Sequence, residues 1–167
     1  MDNIILIGMP GSGKSTLGVL LAKLLGYDFL DSDLLIQNAA GKRLFEIIDE
    51  LGSEGFLALE DVINSVISAE RTVIATGGSV VYCENAMKHL GSLGKVVYLK
   101  IPFAEVEKRI GNFSTRGVVI RKGGTLSDMY NERLPLYEKY ADITVDCTEA
   151  ELTANVNKIL AAISQNN

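Results

Sequence analysis

Gly8-Met-Pro-Gly-Ser-Gly-Lys-Ser-Thr16 sets a lysine and two hydroxyls directly behind three closely spaced glycines. The spacing fits G-x-x-x-x-G-K-[ST], in which a glycine-rich turn lets consecutive backbone N–H groups and the positive end of the next helix point at a phosphate. Gly11, Ser12, Gly13, Lys14, Ser15 and Thr16 are therefore the candidate nucleotide contacts. Lys14 would carry the positive charge to the terminal phosphates, and the Ser15 hydroxyl is a candidate Mg²⁺ ligand. A structural turn with a surface lysine is the bland alternative, but it needs neither a strand before it nor a helix after it, and both are expected here.

Asp31-Ser-Asp33 offers two carboxylates at one strand end, enough to serve a metal ion and a substrate hydroxyl. Asp33 also suits the cap of a helix beginning at Leu34, a role compatible with chemistry. Thr76-Gly77-Gly78 is a paired-glycine strand end that would let a ligand approach the backbone, though such pairs also make ordinary turns. Arg133 lies in a helical pattern, where spacing alone reads as a solvated face. The stretch Gly111–Gly124 (GNFSTRGVVIRKGG) carries two arginines and a lysine between glycines and has no place in a core pattern, which suits a lid over phosphates. His89, the only histidine, has no acid or nucleophile pattern beside it.

These residues need elements to bring them together. Ile4–Ile7 reads as a strand buried on both faces, followed after the glycines by helical spacing over Ser15–Leu25. Tyr27–Asp31, Thr72–Thr76, Val96–Leu99 and Ile143–Val145 read as further strands. Helices are expected over Leu34–Ala40, Leu44–Leu51, Phe56–Ser68, near Cys83–Leu90, after Pro102, and from Leu126 to Tyr140. Thr125-Leu-Ser-Asp128 and Thr148-Glu-Ala-Glu151 both have capping-box spacing. Five strands alternating with helices give an α/β fold with a parallel sheet covered on both faces, and its ligands bind beyond the carboxyl ends of the strands. The phosphate loop, the two aspartates and the glycine pair all fall at that edge.

Composition bounds the rest. The 167 residues, 47% hydrophobic, suit one domain spanning 1–167. A net charge of −5 argues against a nucleic-acid partner. No apolar run is long enough for a membrane span, no leader pattern is evident, and Cys83 and Cys147 lack metal or redox spacing, so a cytoplasmic protein with reduced core thiols is expected.

Taken together, the phosphate loop, Asp31-Ser-Asp33, Thr76-Gly77-Gly78, Arg116 in the lid segment and Arg133 within Arg-x-Pro-Leu-Tyr resemble the shikimate kinases, in the family's order and over nearly the whole chain. The resemblance implies a five-stranded parallel sheet with substrate-binding helices over about Asp33–Ile63, a lid around Gly111–Gly124, MgATP as phosphoryl donor and a monomer. It implies that Asp33 holds the acceptor hydroxyls and acts as base, that Asp31 helps organise Mg²⁺, and that Gly77 and Gly78 contact the acceptor. It further implies that Arg116 stabilises phosphate and that Arg133 binds the acceptor's carboxylate, for which a planar guanidinium is suited. Shikimate is the nearest named acceptor; another small hydroxylated molecule is the alternative, and a nucleotide-binding module that no longer transfers phosphate is a third. The departures concern the acceptor side. Members usually carry Gly-Glu-x-x-Phe-Arg, and this chain reads Gly52-Ser53-Glu54-Gly55-Phe56-Leu57, which keeps the phenylalanine but replaces the glutamate by Ser53 and the carboxylate-gripping arginine by Leu57. Glu60 falls where a family glutamate falls, the usual third glycine is Ser79, and the proline after the lid arginine is Gly117.

Overall fold

The structure is a computed structural model and describes residues 3–110, 118–120 and 123–165. Five strands form one parallel sheet in the order β2-β3-β1-β4-β5, with β1 Asn3–Ile7, β2 Asp28–Asp31, β3 Thr72–Ala75, β4 Gly94–Lys100 and β5 Ile143–Asp146. Central β1 pairs Ile4 with Val73 of β3 and Ile5 with Val96 of β4. Every residue of β1 and β3 is buried, which explains why those strands read as continuous apolar runs rather than alternating ones. Edge strand β5 alternates buried and exposed instead. The helices are α1 Lys14–Leu25, α2 Ser32–Ala40, α3 Leu44–Ser65, α4 Glu84–Leu93, α5 Phe103–Ile110, α6 Leu126–Tyr140 and α7 Leu152–Gln165. None of them is long and apolar enough to cross a membrane. The larger core packs Leu17 and Leu21 of α1 and Val156 and Ile159 of α7 against the sheet; a smaller one gathers Ile36, Ile47, Phe56 and Val119.

The carboxyl ends of β3 and β1 are tied to each other. Thr76, just past β3, gives both its N–H (3.2 Å) and its hydroxyl (2.9 Å) to Leu6 O on β1, so the Gly77-Gly78 pair is held beside the loop that leaves β1. At the opposite edge the Asn3 side chain accepts from Thr72 N–H and donates to Ala69 O and Leu93 O, anchoring the strand starts.

Several expected boundaries shift. The cap of α2 is Asp31, whose carboxylate accepts from Asp33 N–H at 3.0 Å, so the helix begins at Ser32 and Asp33 belongs to its first turn rather than being its cap. An Asp two residues earlier satisfies the same free N–H groups while Ser32 is completely buried. The two helices expected over Leu44–Leu51 and Phe56–Ser68 are both present within Leu44–Ser65, separated at Gly52 (φ 68°, ψ 175°), whose positive-φ, non-helical backbone glycine adopts without cost; the second starts earlier than expected and stops at Ser65. The Thr125 capping box forms, with Thr125 Oγ1 accepting from Asp128 N–H at 3.1 Å. The Thr148 box does not: its N–H (2.9 Å) and hydroxyl (2.5 Å) both go to Asp146 Oδ1, a tighter local turn that delays α7 to Leu152. Cys83 and Cys147 are free and buried, as expected.

Candidate active site

The loop leaving β1 closes on itself around Lys14. Gly13 caps α1 with φ 90°, a backbone that a side chain would strain. Lys14 is 7% exposed, and its ammonium donates to Gly8 O at 2.8 Å and Met9 O at 2.9 Å. Burial lowers its pKa to about 8, against the pull of the Asp33 charge, so it remains a cation at neutral pH. Arg109, on the last turn of α5, donates to Gly11 O at 3.3 Å and steadies the loop from outside; no motif in the sequence singled it out.

Ser15 Oγ donates to Asp31 Oδ2 at 2.6 Å, while Asp31 Oδ1 caps α2. One carboxylate thus serves the helix with one oxygen and meets the candidate metal-binding hydroxyl with the other. Among the described residues no group of three or more His, Cys, Asp or Glu could hold a metal ion alone. The Ser15–Asp31 pair consists of hard oxygen donors, which fits Mg²⁺, an ion that takes one or two protein oxygens and completes its shell from phosphate and water.

A pocket of about 290 Å³ opens between the loop and the β3 end, lined among others by Lys14, Ser15, Asp33, Gly77, Gly78 and Arg133. Its size suits a small molecule, at the low end of ligand cavities. Asp33 carries a carboxyl whose pKa is raised to about 6 by burial and by the Asp31 charge, with Lys14 acting in the opposite sense. Arg133 is 1% exposed, so the solvated-face reading of its helix position is wrong: the guanidinium points inward, donates through Nη2 to Val119 O and lies 5.3 Å from the Tyr82 ring. Tyr137, one turn later, donates to Gly78 O at 2.6 Å. The glycine pair allows this crowding. A Cβ on Gly77 would lie 2.4 Å from Glu60 Oε1 and 2.7 Å from Asp33 Oδ1, and one on Gly78 would lie 2.8 Å from Pro10 Cδ.

The chain matches the shikimate kinase family profile over residues 10–164. It is 38% identical over 147 residues to a shikimate kinase of Thermobifida fusca, covering 87% of this chain and 85% of that protein. The chain belongs to the shikimate kinase family. Among solved structures, a shikimate kinase from Acinetobacter baumannii in complex with shikimate superposes with a TM-score of 0.90 at 34% identity, over all of this chain and 95% of the other. A shikimate kinase from Aquifex aeolicus gives 0.82 at 32% identity over 98% of this chain and 97% of its own. The five-stranded fold expected from the sequence is that of these kinases, and the chain is a phosphotransferase of a family that acts on a hydroxyl group.

Within this kinase fold, Lys14, Ser15, Asp33, Gly77, Gly78 and Arg133 share one pocket, with Asp31 hydrogen-bonded to Ser15 at its rim. Arg116 and most of the lid segment, residues 111–117 and 121–122, lie outside the described residues. The departures divide. Ser79 lines the site, and its hydroxyl donates to Glu60 at 2.6 Å. Ser53 and Leu57 instead line a neighbouring cavity under Val119 and Ile120, where Ser53 Oγ reaches Ile120 O at 3.4 Å. Leu57 is therefore not at the wall of the pocket that holds Asp33, because its turn of α3 faces Tyr82 and Met129. Glu60, noted in the sequence only for register, is completely buried beneath Gly77.

Proposed function

We propose that this protein transfers the terminal phosphoryl group of MgATP to a hydroxyl of shikimate. The observation that carries the reading is the convergence of Lys14, Asp33, the Gly77-Gly78 backbone and buried Arg133 on one small pocket at the carboxyl edge of the sheet. Residues Gly11–Thr16 would hold the nucleotide phosphates through backbone N–H groups and the α1 N-terminus. Ser15 and Asp31 would hold Mg²⁺, which when bound neutralises phosphate charge. Asp33, with a pKa near 6, is ionised at neutral pH and would orient the acceptor hydroxyl and take its proton as the new P–O bond forms and the bond to the leaving ADP oxygen breaks. Lys14 would accompany the charge that builds on the transferred group. Arg133, fixed by Val119 O and Tyr82, would grip the acceptor carboxylate, and Arg116 of the lid segment would meet the phosphoryl group. The relative that superposes at 0.90 is in complex with shikimate, which supports this acceptor.

One observation favours a second acceptor: position 57, where the family usually has an arginine, is a leucine that lines the neighbouring cavity, so it contributes no charge-assisted bond of about 1.5–3 kcal/mol to an acceptor carboxylate. An ADP-release assay of the purified protein with shikimate, other cyclitols and sugars decides between the two. Turnover with shikimate at the highest kcat/KM supports the first; a higher value for an uncharged cyclitol overturns it. ATP binding without turnover on any of them would leave only a nucleotide-binding module.

A further inference from the structure

The guanidinium of Arg133 has a buried donor to spare. The residue is 1% exposed, Nη2 donates to Val119 O, and Nε has no partner. Among the described residues it is the only arginine lining the acceptor pocket, so recognition of a carboxylate there depends on where its fork points. A second cavity, of about 990 Å³, adjoins that pocket, and Val119 lines both. Helix α6 straddles the two: Arg133 lines the first and not the second, whereas Met129, one turn earlier, and Glu132 line the second and not the first. Tyr82 stands at this partition. It ends the short 3-10 turn Val80–Tyr82 that follows Gly77-Gly78-Ser79, lines only the second cavity, and has its ring centroid 5.3 Å from Arg133 Cζ.

A ring face attracts a cation through its quadrupole and needs no donor–acceptor pair, so it can hold a guanidinium while leaving N–H groups for a ligand. Burial raises the pKa of the Tyr82 hydroxyl against the pull of the Arg133 charge, so the phenol is neutral and the contact is cation to ring rather than an ion pair. Without the ring, the guanidinium gains the second cavity as an alternative place, where water and Glu132 compete with the acceptor for its N–H groups.

We propose that Tyr82 is the positioning residue for the acceptor's carboxylate: its ring backs Arg133 away from the second cavity and keeps the unpartnered Nε edge available to the acceptor. The inference rests on the kinase reading for its kinetic arm, whereas the coupling of Tyr82 to Arg133 in the folded protein does not.

The test compares Tyr82→Phe and Tyr82→Leu by shikimate saturation curves and calorimetric ATP titration, and repeats Tyr82→Leu in an Arg133→Met background by thermal melting. Tyr82→Leu is expected to raise the KM for shikimate about tenfold while kcat changes by less than about threefold, the pattern of lost binding shared by ground and transition states. The Kd for ATP is expected to stay at the wild-type value, which a general loosening of the site would not allow. Tyr82→Phe keeps the ring and is expected to remain within about twofold of the wild-type KM. The Tm loss from Tyr82→Leu should be smaller by about 2–4 °C in the Arg133→Met background, because the partner it braces is already gone. Equal damage from phenylalanine and leucine, a wild-type KM in Tyr82→Leu, or a Tm loss of the same size in both backgrounds overturns the proposal. Should the wild-type protein not turn over shikimate, the acceptor assignment fails, and the Tm cycle alone decides whether Tyr82 braces Arg133.

Discussion

Gly77→Ala probes the site through space alone. The added methyl carbon would stand 2.4 Å from Glu60 Oε1 and 2.7 Å from Asp33 Oδ1, where real contacts of that kind begin near 3 Å. Neither neighbour yields easily. Glu60 is completely buried and tied to Ser79, and Asp33 sits in the first turn of α2, whose start is fixed by the Asp31 cap. Overpacking of this kind costs about 1–3 kcal/mol, or about 2–12 °C in Tm for a chain of this size. The larger effect is kinetic. Moving the Asp33 carboxyl by the ångström needed to clear the overlap should lower kcat/KM for the acceptor about 100-fold. The Kd for ATP should stay within a factor of about three, because the three atoms nearest that methyl belong to Glu60 and Asp33 and none to the phosphate loop. Gly78→Ala supplies the contrast: its methyl would strike Pro10 Cδ at 2.8 Å and Cγ at 2.9 Å, inside the phosphate loop, so ATP affinity and acceptor kinetics should fall together. Thermal melts, calorimetric ATP titrations and acceptor saturation curves on the two variants are sufficient. A Gly77→Ala protein with wild-type kcat/KM would refute the claim that Asp33 and Glu60 are packed against one point.

Lys14→Ala should abolish ADP release, by at least about 100-fold in kcat, with the protein still folded by circular dichroism; wild-type turnover would remove Lys14 from the transfer step. Asp33→Asn should leave the α2 cap intact, because Asp31 supplies it, and lower kcat about 100-fold, with loss of the acidic limb of the kcat/KM profile near pH 6. The raised pKa values of Asp33 and Glu60 mean that the folded state binds more protons than the unfolded chain between about pH 4 and pH 7, so their contribution to stability is present below that window and fades as pH rises through it. Melting of wild type and Asp33→Asn/Glu60→Gln from pH 4 to 8 should accordingly show the variant gaining on wild type as pH rises. Arg133→Lys, which keeps charge but loses the planar fork, should raise the KM for shikimate about tenfold, and an unchanged KM would detach Arg133 from the acceptor.

Much of the architecture could be read from residue types. The β-branched runs at Ile4–Ile7 and Thr72–Thr76 mark strands because a parallel sheet covered on both faces leaves no room for alternation, and Gly8–Thr16 between strand and helix sets the loop. What stayed hidden depends on choices between equivalent partners. Asp31 and Asp33 both have cap chemistry, and only the buried Ser32 decides the register; Thr148 could cap α7 or close on Asp146, and the nearer oxygen prevails. Arg133 reads as surface because α6 has no clean apolar stripe, yet Val119, from a segment distant in sequence, supplies the carbonyl that lets it lie inside. No local pattern could show that Glu60 and Ser79 meet, since the contact closes across α3 and the β3 end. Nor could spacing tell that Leu57 turns toward Tyr82 and Met129 rather than toward Asp33.

The kink at Gly52 makes α3 two rods on one swivel. A Cβ there would meet nothing within 4 Å, so the position is constrained by its backbone angle and not by neighbours. The outer rod, Leu44–Leu51, rests through Ile47 on Ile36 of α2, whereas the inner rod carries Phe56 and Glu60 under the glycine pair. A change in the length or tilt of the outer rod can be absorbed at the swivel before it reaches Glu60. New surfaces can therefore be tried on one piece while the chemistry on the other is inherited intact.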